Sequence, residues 1–286
     1  MSTTHPIVAR SVAELRALVA GWRKAGDTIA LAPTMGALHD GHVSLTKLTQ
    51  QRARRTIVSI FVNPTQFAPN EDFSKYPRTF DADLSKLAAA GVDAVFNPSP
   101  AEMYPDGFAT TITLNGPATA GLEDRFRPTH FAGVATIVAK LLIQVAPDFA
   151  IFGEKDFQQL AVIRRMARDL DLPVEILGGP TIREPDGLAM SSRNVYLTAA
   201  ERETAPTLQR TMQAAAAQIE QSGDIASTLD AARKTLADAG FDLDYLELRD
   251  AATLAPVPAR TGRPLRMLAA ARIGKTRLID NIAVDD

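Results

Sequence analysis

From residue 28 to residue 179 the chain alternates between two patterns, and few architectures accept that alternation. One pattern is a short, nearly continuous apolar run: TIALAPT, ending at Pro33, then TIVSIFV at 56–62, VDAVFNP, DFAIFG and PVEILG. These runs are too short for helices and read as strands. Between them lie segments with apolar residues at helical spacing: HVSLTKLTQQ, DADLSKLAAAG closed by Gly91, THFAGVATIVAKLLIQVAP and DFQQLAVIRRMARDL. In the third, Val134, Ile137, Val138, Leu141, Leu142 and Val145 form one stripe. Strands joined through helices pair in parallel, because the crossover returns the chain to the sheet running in the same direction. Ahead of this series, Ser11-Val-Ala-Glu14 is a capping-box pattern that opens a helix running to Gly26. The stretch MYPDGFATTITL reads as an excursion from the pattern.

The character changes near Thr198. Thr198-Ala-Ala-Glu201 is a second capping box and opens a long alanine-rich helical region. DLDYLELRD, LRMLAAARI and TRLIDNIAV then follow one another with no helix between them, so they are expected to pair antiparallel in a smaller α+β unit. The predicted class is therefore α/β, a parallel sheet flanked by helices, with a C-terminal α+β domain. A chain of 286 residues, 46% apolar and 22% charged, has room for both cores.

Composition removes several functions. A net charge of −2 leaves no basic surplus for a nucleic-acid backbone. With no cysteine, the chain has no disulfide framework, thiolate zinc site or cysteine nucleophile. MSTTHPIVARS lacks the charged-then-apolar order of a signal peptide, and no 18-residue apolar run occurs, so the expectation is a soluble cytoplasmic protein with neither nucleic acid nor membrane as partner.

Open parallel sheets bind ligands beyond the carboxyl ends of their strands. PTMGALHDGH, residues 33–42, sits at such an end and holds half of the chain's four histidines. Gly36 and Gly41 let the backbone turn tightly, and the following helix offers unpaired N–H groups to an anion. His39 and His42 then read as donors to phosphate oxygens; the same pair is also half of a metal site, or two loop histidines without a role. GEKDFQQL places Lys155 at another strand end, beside Gly153 and Asp156, where a phosphate and a ribose would fit. LAMSSRN supplies Ser191, Ser192 and Arg193, either a helix cap or donors to a departing pyrophosphate. FVNPTQF offers the neutral amides of Asn63 and Gln66, and Gln159 adds another that suits a small hydroxylated acid.

In order along the chain, PTMGALHDGH, SIFVNPTQF, YPRT, RPTHFAGV, FGEKDFQQL and DGLAMSSRN resemble the pantothenate synthetase family, as do DYLELRD and the closing TRLIDNIAV. The resemblance spans nearly the whole chain. It implies a Rossmann-like domain over residues 1–182 that binds ATP and pantoate, a smaller domain over 183–286, and a cytoplasmic homodimer. It also implies ATP-dependent condensation of pantoate with β-alanine, through pantoyl adenylate, with Mg²⁺ accompanying ATP.

Carried over residue by residue, His39, His42 and Lys155 would stabilise the α-phosphate, and Ser191, Ser192 and Arg193 would bind the outer phosphates. Gly153 and Asp156 would hold the ribose, and main chain near Ile182 and Met190 the adenine. Gln66 and Gln159 would grip pantoate, with Phe61 and Met35 against its gem-dimethyl part; Met35 also borders the nucleotide. Asn63 would lie on the β-alanine route. Asp83, in YPRTFDADL, is the candidate magnesium ligand, although Ala82 stands where some relatives carry an acid. Phe157 stands where tyrosine is common. Two other functions share these motifs: a nucleotidyltransferase of the same superfamily that stops at a nucleotide-linked product, and a nucleotide-binding module without catalysis.

Overall fold

In the computed structural model, residues 5–68, 71–222, 224–260 and 262–285 are described. The first four residues of MSTTHPIVARS lie outside them. In chain order the elements are β1 (Ile7–Ala9), α1 (Val12–Lys24), β2 (Ile29–Thr34), α2 (Asp40–Arg52), β3 (Arg55–Ile60), α3 (Phe80–Ala89) and β4 (Ala94–Phe96). Then come α4 (Pro100–Met103), α5 (Glu123–Phe126), α6 (His130–Val145), β5 (Phe149–Gly153), α7 (Phe157–Asp169) and β6 (Glu175–Gly179). The C-terminal part holds α8 (Ala199–Thr204), α9 (Thr207–Ser222), α10 (Ile225–Asp238), β7 (Asp242–Asp250), β8 (Leu265–Ile273) and β9 (Thr276–Val284). Both capping boxes form, Ser11 with Glu14 and Thr198 with Glu201.

The first six strands make one parallel sheet in the order β1-β4-β3-β2-β5-β6. Side chains on a strand alternate between faces, and the cores follow that alternation. Ile29, Leu31, Ile57, Phe96 and Phe152 join the helices α1, α6 and α7 on one face, while Ala30, Ala32, Val58, Ile60, Val95 and Ile151 join α2 and α3 on the other. Burial on both faces is why these strands are continuously apolar. The sequence reading missed β1, whose three residues are too few to show a period; it extends the sheet by pairing with β4.

The order reverses at β2. The connection after β2 leads toward β3 and β4, whereas β5 and β6 lie on its other side. Pairing of β2 with β5 covers only Ala30 and Leu31, so Pro33, which has no N–H to give, lies beyond the point where the two strands part. That parting opens a crevice at the carboxyl ends of β2 and β5.

The last three strands form an antiparallel sheet, β7-β8-β9. Met267, Ala269 and Ala271 face α9 and α10 through Met212, Ile219 and Leu229. Leu268 and Ala270 face the other way, packing with Tyr245 against Leu122 and Phe157. Arg277 donates to both carboxylate oxygens of buried Glu123 at 2.8 Å, and the Tyr245 hydroxyl donates to the same group at 2.8 Å. The second sheet is thereby tied to the segment before α6.

Candidate functional site

A cleft of about 220 Å³ opens at the crevice between β2 and β5. Every residue nominated from the sequence as a ligand, except Asp83, lines it. Met35, His39 and His42 come from the connection after β2; Phe61, Asn63 and Gln66 from the one after β3; Gly153, Lys155, Asp156 and Gln159 from the end of β5 and the start of α7; Ile182, Met190, Ser191, Ser192 and Arg193 from the segment after β6.

The two histidines cap α2 reciprocally. His39 Nδ1 accepts from the Gly41 N–H at 3.2 Å, and His42 Nδ1 accepts from the His39 N–H at 3.3 Å. An imidazole that accepts at Nδ1 carries its proton at Nε2, so each ring keeps an Nε2–H donor that the cap does not use. A Cβ on Gly41 would fall 2.8 Å from His39 Cε1, which is why glycine stands there. Burial pulls His39 down to about 4, with Lys155 and Lys86 adding to it. Burial likewise pulls His42 down to about 3, assisted by His39, Lys155 and Lys86. At neutral pH both rings are uncharged donors at a helix N-terminus, and the rings lie 4.1 Å apart.

Asp83 supports this loop and lies outside the cleft. Its carboxylate accepts from the N–H groups of Ala37 at 2.9 Å and Leu38 at 2.8 Å and from the Thr79 hydroxyl at 3.1 Å, and it is 1% exposed. Gly36 at φ +82° and Ala37 at φ +51° take left-handed conformations, and Asp83 satisfies the amides of that turn. The metal role expected for Asp83 is corrected accordingly: both oxygens are committed to the loop. Among the described residues, no group of three or more His, Asp or Glu is arranged to hold a metal ion, which also leaves the histidine pair without further ligands.

Asn63 is engaged on every side. Its amide donates to Gln66 Oε1 at 3.1 Å and the Gly133 carbonyl at 3.2 Å, and its oxygen accepts from the Tyr104 hydroxyl at 2.6 Å and the Thr65 hydroxyl at 3.0 Å. It therefore orients Gln66. Among the described residues the Gln66 Nε2 has only the Met35 thioether, a weak acceptor, at 3.1 Å, so that amide keeps donor capacity for a ligand. A Cβ on Gly133 would lie 2.5 Å from the Thr65 carbonyl oxygen, so α6 approaches this turn as only glycine permits.

The last segment lining the cleft is a small hairpin: the Met190 N–H donates to the Ile182 carbonyl at 3.0 Å, and EPDG turns at Gly187 with φ +96°. Ser191 does cap the short turn that follows, accepting from the Arg193 N–H at 3.2 Å, and it also lines the cleft. The Ser192 hydroxyl lies 3.0 Å from that of Tyr76.

Sequence reasoning gave no role to several residues that complete the site. The Asn281 amide, from β9, donates to the carbonyls of Glu154 at 2.9 Å and Lys155 at 2.8 Å, pinning the turn that carries Lys155. Arg266 donates to Asn281 Oδ1 at 2.7 Å and so fixes the amide's direction. His130 donates from Nδ1 to the Gln66 carbonyl at 3.0 Å, and Arg127 reaches the same carbonyl at 3.3 Å. YPRT and RPTHFAGV marked Tyr76, Arg127 and His130 only as parts of motifs; Asn281 had no local signal.

The histidines give a pH expectation. Burial, with Arg127 beside it, holds His130 at about 4. In an unfolded chain all three imidazoles take up protons near pH 6.5. Unfolding therefore binds protons below that value, and the stability from His39, His42 and His130, complete above about pH 6.5, is lost as pH falls toward 4. Urea denaturation should show midpoints falling from pH 7 to pH 5, with a shallower fall in His42→Gln; a midpoint independent of pH would contradict the neutral, half-buried pair.

Against known proteins, the family model described as pantoate-beta-alanine ligase matches residues 7–283. A pantothenate synthetase of Rhodopseudomonas palustris (strain HaA2) is 58% identical over 279 residues, covering 98% of this chain and 99% of that protein. Pantothenate synthetase 2 of Bradyrhizobium diazoefficiens is 61% identical over 279 residues, with the same coverage of 98% and 99%. The crystal structure of pantothenate synthetase from Thermus thermophilus superposes with a TM-score of 0.91 at 45% identity, over 96% of this chain and 98% of that one. A pantoate-beta-alanine ligase from Francisella tularensis, complexed with beta-gamma ATP and beta-alanine, gives 0.78 at 35% identity, over 97% of each chain.

Proposed function

The chain belongs to the pantoate-beta-alanine ligase family, and from that premise we propose that the cleft between β2 and β5 is where ATP drives the condensation of pantoate with β-alanine. The products are pantothenate, AMP and pyrophosphate. The observation that carries the reading is that one cleft brings together the donors His39, His42, Lys155 and Arg193 with the neutral amides of Gln66 and Gln159.

The carboxylate of pantoate attacks the α-phosphorus of ATP, a bond forms from carboxylate oxygen to phosphorus, and pyrophosphate leaves with its electron pair. The amine of β-alanine then attacks the acyl carbon of pantoyl adenylate, and AMP departs. A free carboxylate resists amines because oxide would have to leave; AMP is a far better leaving group. Positioning and stabilisation of phosphoryl charge do most of this work. His39 and His42 donate from Nε2 to the α-phosphate, and Lys155 adds the full charge that the neutral rings lack. Ser191, Ser192 and Arg193 receive the outer phosphates. Gly153 and Asp156 lie against the ribose. With the Met190 N–H already bonded to Ile182, the Met190 carbonyl and the Ile182 N–H are left for adenine.

Gln66 and Gln159 hold pantoate, with Phe61 and Met35 against its methyl groups. Asn63 acts mainly by holding Gln66, whose amide it touches at 3.1 Å. Mg²⁺ enters with ATP, on its phosphates and waters, as this ion commonly does; among the described residues the chain provides no carboxylate cage for it. We further propose a division into domains at residue 182, supported by separate apolar clusters on the two sides, and a cytoplasmic homodimer on the family's pattern. No described helix is long and apolar enough to cross a membrane.

The test is a product assay. With ATP, Mg²⁺, pantoate and β-alanine, AMP and pantothenate should form one to one, and omission of pantoate should abolish AMP. Formation of ADP, or of a stable nucleotide-linked product as the nucleotidyltransferase reading requires, would contradict the proposal.

A further inference from the structure

Arg193 belongs to the segment after β6, yet its partner comes from between β3 and α3, more than a hundred residues earlier. Its Nε donates to Asp72 Oδ2 at 3.0 Å and its Nη2 to Oδ1 at 2.9 Å, a side-on fork. Two of the guanidinium's five N–H bonds are thus used, and both on Nη1 remain, together with one on Nη2. The guanidinium carbon lies 5.7 Å from the centre of the Tyr76 ring, and the Tyr76 hydroxyl meets Ser192. The stretch from Asp72 to Tyr76 therefore contacts two of the three residues assigned to the outer phosphates, Arg193 and Ser192. Burial opposes ionisation of Asp72, but the hydrogen bond and charge of Arg193 outweigh it and hold the carboxyl below its ordinary value. Neighbouring Glu71 does the same for Arg127, accepting from it at 2.7 and 2.8 Å.

We propose that Asp72 is a positioning residue for pyrophosphate departure, holding the Arg193 guanidinium so that its Nη1 edge meets the outer phosphates. This rests on the assignment of Arg193 as a phosphate ligand. A long arginine side chain samples many rotamers, and a fixed fork removes that freedom before ATP arrives. The opposite role for the same contact would be competition: a carboxylate occupying Arg193 until phosphate displaces it. The two roles differ in sign.

The experiment is a double-mutant cycle on full-length enzyme, read by exchange of labelled pyrophosphate into ATP. Asp72→Asn is nearly isosteric but turns an amide donor toward one of the two guanidinium N–H groups. Expected are a rise of about tenfold or more in the KM for pyrophosphate and a lower exchange rate, with the KM for pantoate unchanged. Asp72→Ala should behave alike, and neither change should add to the loss already present in Arg193→Ala. A purely structural role would instead lower the melting temperature and impair pantoate and pyrophosphate together, in both arginine backgrounds, and would overturn the proposal. Tighter ATP binding in Asp72→Asn would overturn it in favour of competition. If Arg193→Ala alone leaves pyrophosphate kinetics unchanged, the assignment of Arg193 fails and this proposal with it; if Arg193→Ala is impaired while both Asp72 variants are normal, only this proposal fails.

Discussion

Lys155→Ala and His42→Ala each lower the rate of adenylation by about 10²-fold or more, the loss expected when one preorganised charge-stabilising donor is removed. The expectation follows from how the fold places the two groups, the main chain of Lys155 and the imidazole of His42 both being held. Lys155 stands on a turn whose two carbonyls are bound by Asn281. His42 is fixed through Nδ1 by the His39 N–H at 3.3 Å, which leaves Nε2–H aimed by the cap itself. A donor already oriented does not reorganise as charge builds on the phosphorus, and that is the origin of the large factor. The His42 change also removes half of a capping pair, at a cost of about 1 kcal/mol, so the folded state should persist and circular dichroism should be near that of the wild type. Single-turnover formation of AMP measures the step. A loss below tenfold in either variant would show that these groups do not meet the reacting phosphate.

Gln66→Ala and Gln159→Ala each raise the KM for pantoate by about tenfold or more, while ATP affinity measured without pantoate changes little. The carboxylate of pantoate has to remain nucleophilic, and a cationic clamp would form an ion pair that blunts its attack. Amides bind hydroxyls and leave that charge available. The side chain of Gln66 suits this: its oxygen is occupied by Asn63 and, among the described residues, its nitrogen meets only a thioether. A hydrogen bond contributes about 1 kcal/mol, and leaving a buried hydroxyl unpaired costs more, which together give the tenfold factor. Steady-state kinetics with each substrate varied separates the terms. Equal weakening of ATP and pantoate by both variants would remove the acid pocket from these two residues.

Much of this arrangement is legible in the sequence because its signals are local. Apolar runs, helical stripes and capping boxes depend on neighbours within a few positions, and they located five of the six strands of the parallel sheet and all three of the second. The strand-end positions of PTMGALHDGH and GEKDFQQL followed from them. What escaped was non-local. β1 has only three residues. Asp72 reaches Arg193 and Asn281 reaches Lys155 across distances no local pattern records. Asp83 shows a different limit: an acid near an expected phosphate-binding loop suggests a metal ligand by residue type, whereas the left-handed turn at Gly36 and Ala37 needs an acceptor for its amides and takes this one. Asn63 is similar, a polar group consumed in holding another.

In the proposed reaction the cleft makes an acyl adenylate before any amine is present. Its most direct test is isotope exchange: labelled pyrophosphate incubated with the enzyme, ATP, Mg²⁺ and pantoate, with β-alanine left out. Label should appear in ATP, dependent on pantoate, because adenylation reverses while pantoyl adenylate stays bound. Exchange that occurs only when β-alanine is added would mean that no adenylate precedes the amine, and would contradict the two-step reaction.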